Sequence, residues 1–183
     1  MSPAAEQATV ASSVIACASC GRRNRVPSAA TGTPRCAACH KPLGWLVEAD
    51  DASFGAVTAG TLPVLVDLWA PWCGPCRTVG PVVDRLAQTL AGRLKVVKVN
   101  VDHAPETARQ FGIQGVPTMI ILRGGTEVAR QVGALPASHL TRWVEDHLDP
   151  RAGVTALDVP IPAAVSARVA GPPTSETSPC VTS

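Results

Sequence analysis

The chain has 183 residues, 46% of them hydrophobic and 16% charged, and a formal net charge of +2. That length fits one ordinary domain with a sizeable core plus an appendage, and the composition excludes wholesale disorder. The charge is too small to argue for nucleic acid, although Arg22, Arg23, Arg25, Arg35 and Lys41 cluster early, and no apolar run reaches the length of a membrane span.

In chain order, residues 1–13 are small and polar and read as a disordered N-terminus. Val14-Ile15-Ala16-Cys17 resembles the end of a bacterial lipoprotein signal. No Lys or Arg precedes Cys17, however, Glu6 interrupts the segment, and its apolar part is short. The expectation is a cytoplasmic protein. In that reducing compartment, C-x-x-C pairs serve as metal sites or catalytic dithiols more often than as structural disulfides. Residues 14–44 hold four of the seven cysteines, with Gly and Pro between them and few core-forming side chains. Such a stretch does not order itself without a staple such as a metal.

From residue 45 the pattern is that of a packed domain. Leu46-Val47 predicts a short strand, and residues 51–60 a small helix with Phe54 and Val57 inward. Residues 62–70 (LPVLVDLWA) are nearly continuously apolar, as in a central strand buried on both faces. Beyond Pro71-Trp72-Cys73-Gly74-Pro75-Cys76, residues Val79, Val82, Val83, Leu86 and Leu90 recur at helical spacing, with Pro81 expected to kink the helix. A strand over 94–101, a short helix over 104–112, a hairpin over 117–133 turning at Gly124-Gly125, and a closing helix over 136–148 complete the domain. The order β-α-β-α-β-α-β-β-α predicts an α/β sandwich with parallel and antiparallel strands. Residues 149–183, rich in Pro, Ala, Ser and Thr, read as a disordered tail. Cys180 there is an inert surface thiol, an extra redox partner or a crosslinking site.

Cys73 falls where a buried strand meets a helix. Unpaired N–H groups and the helix dipole favour a thiolate at that position, so Cys73 is the candidate attacking sulfur. Cys76, one turn further in, is shielded and suits a resolving role. Asp67 interrupts the apolar strand, and a buried carboxylate is costly. It is either a satisfied strand-end polar group or a proton acceptor of raised pKa behind Cys76. His103, His139 and His147 read as solvated.

The run VDLWAPWCGPCRTVGP, with Gly115-Val116-Pro117-Thr118 and Gly133 further on, resembles the thioredoxin family over about residues 45–148. The resemblance implies a thioredoxin fold and thiol-disulfide oxidoreductase activity through a Cys73–Cys76 redox disulfide. It implies that Pro117 is a cis-proline beside the dithiol, and that Trp72, Gly74, Pro75, Gly115, Val116 and Gly133 surround a groove for substrate protein. It favours the proton-acceptor role for Asp67 and makes Lys98 the residue that tunes it. No dinucleotide-binding fingerprint appears, so the family comparison implies an NADPH-dependent thioredoxin reductase as electron donor and disulfide-containing proteins as substrates. A monomer without bound nucleotide, nucleic acid or membrane is expected.

Arg35-Cys36-Ala37-Ala38-Cys39-His40 admits three readings: haem attachment, half of a zinc site, or a second dithiol. Cys17-Ala18-Ser19-Cys20, then fifteen residues, then Cys36-Ala37-Ala38-Cys39, is the spacing of a four-thiolate zinc site. Haem would use one pair only and would need export and a ligand pocket around His40. One structural zinc on Cys17, Cys20, Cys36 and Cys39, and no haem, is therefore expected. A zinc module over 14–44 narrows the resemblance to the zinc-containing bacterial type of the family, thioredoxin 2. The expected activity is protein-disulfide reduction. The alternative is a zinc-regulated holdase or adaptor in which the dithiol is secondary.

Overall fold

The computed structural model describes residues 12–148. The expectations for residues 1–11 and for 149–183, Cys180 included, lie outside the described residues. An antiparallel hairpin, β1 (Ser12–Ala16) and β2 (Arg23–Pro27), comes first. There follow β3 (Trp45–Ala49), α1 (Phe54–Thr58), β4 (Val64–Trp69), α2 (Gly74–Thr89), β5 (Lys95–Asn100), α3 (Pro105–Gln110), β6 (Thr118–Arg123), β7 (Thr126–Val132) and α4 (Ala137–Leu148). The last five strands form one sheet in the order β3-β5-β4-β6-β7. β5 runs parallel to β3 and β4, whereas β6 is antiparallel to β4 and β7. This is the mixed α/β thioredoxin fold that the sequence predicts, and α2 runs through Pro81 as one helix.

The inner strands β4, β5 and β6 are buried on both faces, and strand alternation assigns each residue to one of them. Along β4, Val64, Val66 and Leu68 join one cluster with Val97 and Val99 of β5 and with Phe54 and Val57 of α1. Leu65 joins the other cluster, with Val96, with Val79, Val83 and Leu86 of α2, and with Leu140 and Val144 of α4. By the same alternation Asp67 and Lys98 lie on the α2 face, and Lys95 on the α1 face.

The N-terminal hairpin was not among the predicted elements, and β1 opens at Ser12, ahead of the expected module start at 14. The module also has a closer relation to the domain than its composition suggests. Cys17, Val26, Cys36 and Leu43 belong to the same buried cluster as Trp45, Val47 and Phe54. Lys95, only 1% exposed, donates from Nζ to the Ser28 carbonyl of the module at 2.6 Å and to the Val57 carbonyl of α1. Its ammonium stands 4.0 Å from the centre of the Trp45 ring. Burial lowers its pKa to about 8, while the two carbonyls and the ring favour the charged form. At the junction Gly44 crosses the end of α2 so closely that a Cβ would stand 2.8 Å from the Ala87 carbonyl oxygen. Composition changes at residue 44; packing does not.

Candidate redox site and candidate metal centre

β4 delivers the chain through Ala70–Trp72 to Cys73, the N-cap of α2, and Pro75 occupies the first turn, where a missing N–H costs nothing. Cys73 is extended (φ −78°, ψ 105°), so its sulfur turns back over the helix start and accepts the Cys76 N–H at 3.1 Å. The two sulfurs are joined as a disulfide with Cα atoms 5.3 Å apart. Both residues are buried, Cys73 at 3% and Cys76 at 7% exposure. Cys76 is shielded as expected, and so is Cys73. What separates the two is the backbone donor aimed at Cys73, because the helix start serves the residue that caps it.

The Val116–Pro117 peptide is cis. Gly133 N–H donates to the Pro117 carbonyl at 2.9 Å, and Thr118 Oγ1 donates to the Gly115 carbonyl at 2.7 Å. Val116 packs against the cluster that holds both cysteines. Trp72 is 68% exposed, and its Nε1 donates to the Asp102 carboxylate at 3.1 Å. A cleft of about 590 Å³ runs between Trp72 and Gly115-Val116. Gly74 and Pro75 are exposed at the helix start beside it.

Asp67 is 2% exposed. It lines a cavity of about 190 Å³ together with Cys76, Arg77, Asp84 and Lys98. Burial raises its pKa to about 6, with Lys98 pulling it down and Asp84 pushing it up. Lys98 is the register partner of Asp67 across the β4–β5 ladder, yet its ion pair, at 3.2 Å, is with Asp84 of α2.

In the N-terminal module each C-x-x-C is a tight turn closed in the same way. Cys17 N–H bonds the Arg22 carbonyl and Gly21 N–H the Cys17 carbonyl; Cys36 N–H bonds the Lys41 carbonyl and His40 N–H the Cys36 carbonyl. Gly21 (φ 71°) and His40 (φ 58°) take the equivalent left-handed position. The turns face each other, with Cys17–Cys39 sulfurs at 3.6 Å, Cys20–Cys36 sulfurs at 3.5 Å and all four within 4.8 Å. A tetrahedral zinc with bonds of about 2.3 Å holds its sulfurs roughly 3.8 Å apart, so the four cysteines fit the ion. Backbone N–H groups of Cys39 and Ala38 draw the Cys36 thiol down to about 6. At Cys20 the Arg22 N–H acts in the same direction, but bonding to the Cys36 and Cys39 sulfurs prevails and takes the thiol up to about 12. Crowded thiols oppose one another's ionisation, and a divalent cation removes that conflict. His40 is exposed and outside the sulfur cluster.

Residues 46–146 match the Thioredoxin family model. The chain belongs to the thioredoxin family. It is 55% identical over 87 residues to "Thioredoxin 1" of Nostoc sp., covering 48% of this chain and 81% of that protein. It is 51% identical over 102 residues to "Thioredoxin" of Synechocystis sp., 55% of this chain and 95% of that protein. "Thioredoxin" of Haemophilus influenzae is 45% identical over 100 residues, 54% of this chain and 94% of that protein. With these relatives and the disulfide at the head of α2, the chain is a thiol-disulfide oxidoreductase. The four-cysteine cluster ahead of its domain agrees with the thioredoxin 2 type.

The thioredoxin fold brings sequence-predicted residues into three groups: Cys73 and Cys76 with Val116; Asp67 with Lys98; and the four module cysteines. Three residues escaped the sequence reading. Asp102 anchors the Trp72 indole, and Asp84 holds Lys98. Asn24, 8% exposed, accepts the Ala37 N–H at 2.9 Å and donates to the Arg22 carbonyl, tying one turn of the module to the other. Of the histidines, His103 and His139 are exposed, while His147 is half-buried against Trp143.

Proposed function

We propose that this chain reduces protein disulfides through a mixed-disulfide intermediate, with Cys73 as nucleophile and Cys76 as resolving thiol. The observation that carries the reading is the Cys76 N–H aimed at Cys73 Sγ, because a donor there stabilises a thiolate on that sulfur and not on the other. Cys73 thiolate attacks one sulfur of a substrate disulfide and releases the second as a thiolate. Cys76 then gives its proton to Asp67 and attacks Cys73 Sγ, which re-forms the Cys73–Cys76 bond and frees the remaining substrate thiolate. Two electrons pass to the substrate. Asp67, with a pKa near 6 and sharing a cavity with Cys76, suits that transfer near neutral pH. Lys98 tunes Asp67 across the ladder.

Substrate protein occupies the groove around Trp72, Gly74, Pro75, Gly115, Val116, cis-Pro117 and Gly133. An NADPH-dependent thioredoxin reductase restores the dithiol, in the cytoplasm. Cys17, Cys20, Cys36 and Cys39 hold one structural zinc, whose part is to order residues 14–44 against the domain of residues 45–148.

The test is reductase-coupled turnover on the purified full chain, with NADPH consumption followed in the presence of insulin and the metal content measured. Robust NADPH oxidation and one zinc per chain are expected. Failure of reductase to reduce the Cys73–Cys76 pair, with suppression of client aggregation retained, would favour the holdase reading.

A further inference from the structure

Lys98 has a choice of two carboxylates and makes its ion pair with the outer one. Asp67 and Lys98 face each other across the β4–β5 ladder on the α2 side of the sheet. From α2, Asp84 reaches Lys98 Nζ at 3.2 Å and is half exposed, whereas Asp67 lies sealed beneath. All three line the small cavity that also reaches Cys76. The charged and titratable groups on the Asp67 side are few: Lys98 from β5, and Cys76, Arg77 and Asp84 from α2. Across the other ladder its neighbour is Met119 of β6, which carries no charge.

We propose that Asp84 is a positioning residue for proton transfer at Asp67, drawing the Lys98 ammonium to the outer end of the cavity and leaving Asp67 able to hold a proton. The proposal rests on the reading of Asp67 as the acceptor of the Cys76 proton. Its physical basis is a competition. An ammonium bound to Asp67 would stabilise the carboxylate so well that it would no longer take a proton near neutral pH. Asp84 withdraws that cation and adds a negative charge of its own at the cavity mouth, and both effects keep Asp67 basic. An exposed pair of this kind adds little to stability, so its effect falls on Asp67 rather than on the fold.

The experiment follows Asp67 directly, by carboxyl-carbon NMR of the reduced full chain across pH, alongside the pH profile of disulfide exchange. In Asp84→Asn the Asp67 midpoint should fall by about one pH unit. The acid limb of the rate profile should move down by the same amount, and Asp84→Glu should restore both. With Lys98 already replaced by Met, the Asp84→Asn shift should shrink, because there is no ammonium left to relocate. An Asp67 midpoint unmoved by Asp84→Asn overturns the proposal whatever Asp67 does in catalysis. A midpoint that moves under an unmoved rate profile removes the acceptor role of Asp67 itself, and the catalytic part of the proposal with it.

Discussion

The same four-residue motif occurs three times in this chain and is followed by two different conformations. After Cys20 and after Cys39 the backbone takes one left-handed residue, Gly21 or His40, and doubles back. Each pair therefore sits at the tip of a tight turn, and two facing tips bring four sulfurs within 4.8 Å. After Cys73 the backbone instead enters a 16-residue helix with Pro75 in its first turn. There the Cys76 N–H bonds one sulfur, and that sulfur is joined to the other of its own pair. The conformation that follows each C-x-x-C goes with where its sulfurs end up: gathered with a second pair, or bonded to each other. Thiols crowded without a cation oppose one another's ionisation; a thiolate on a helix start is favoured singly.

Removing sulfurs tests this division most severely. Cys76→Ser should abolish turnover while trapping substrate proteins as mixed disulfides, and Cys73→Ser should abolish turnover and trap none. Zinc content should be unchanged in both. Equal trapping by the two variants, read on non-reducing gels, would erase the distinction between them.

Cys36→Ser should release the metal and unfold residues 14–44, with the dithiol still exchanging. Because Val26, Leu43 and Cys17 share a cluster with Trp45 and Val47, the remaining domain should also melt several degrees lower. An unchanged melting temperature would show that the shared core contributes nothing.

Asp67→Asn addresses the redox side alone. The folded-state pKa near 6 lies above the ordinary carboxylate value of 3.8, so between about pH 4 and pH 6 the folded chain keeps a proton that the unfolded chain has lost. Stability therefore falls as pH rises through that window. Asn should recover about 3 kcal/mol at pH 7 and nothing below pH 4, measured by urea unfolding. Turnover should drop all the same.

The smallest effect belongs to His40. Its left-handed backbone (φ 58°) is one that glycine adopts freely, so His40→Gly should stabilise the module by about 1 kcal/mol. His40→Ala should keep its zinc, since four thiolates complete the tetrahedron. Loss of metal from that variant, seen in a chelator competition, would make the site one of three cysteines and a histidine.

The elements of the domain are legible in the sequence because each buries a periodic face: β4 as an apolar run, α2 through Val79, Val83 and Leu86. The grouping of the four module cysteines is legible from spacing. The hairpin β1–β2 is not, because its strands are five residues long, Arg-Asn-Arg-Val-Pro buries only Asn24 and Val26, and the ladder exists by pairing rather than by local preference. Lys95 and Lys98 are alike on paper, three residues apart on one strand. Alternation turns one toward α2 and the other toward the module, where residues distant in sequence cover it. Asp84 sits on an exposed helix position beside Arg85, indistinguishable by pattern from a solvated charge until β5 brings Lys98 to it.

The burial of Lys95 bears on how this protein is dissected. A chain begun at residue 45 is the natural cut by composition, yet it would uncover the Trp45 ring and take from Lys95 the Ser28 carbonyl that receives its ammonium. Such a truncation presents solvent with an apolar sheet face around a cation stripped of one acceptor, a surface prone to self-association. A fall in its reductase rate would then report uncovering of the sheet as much as absence of the metal.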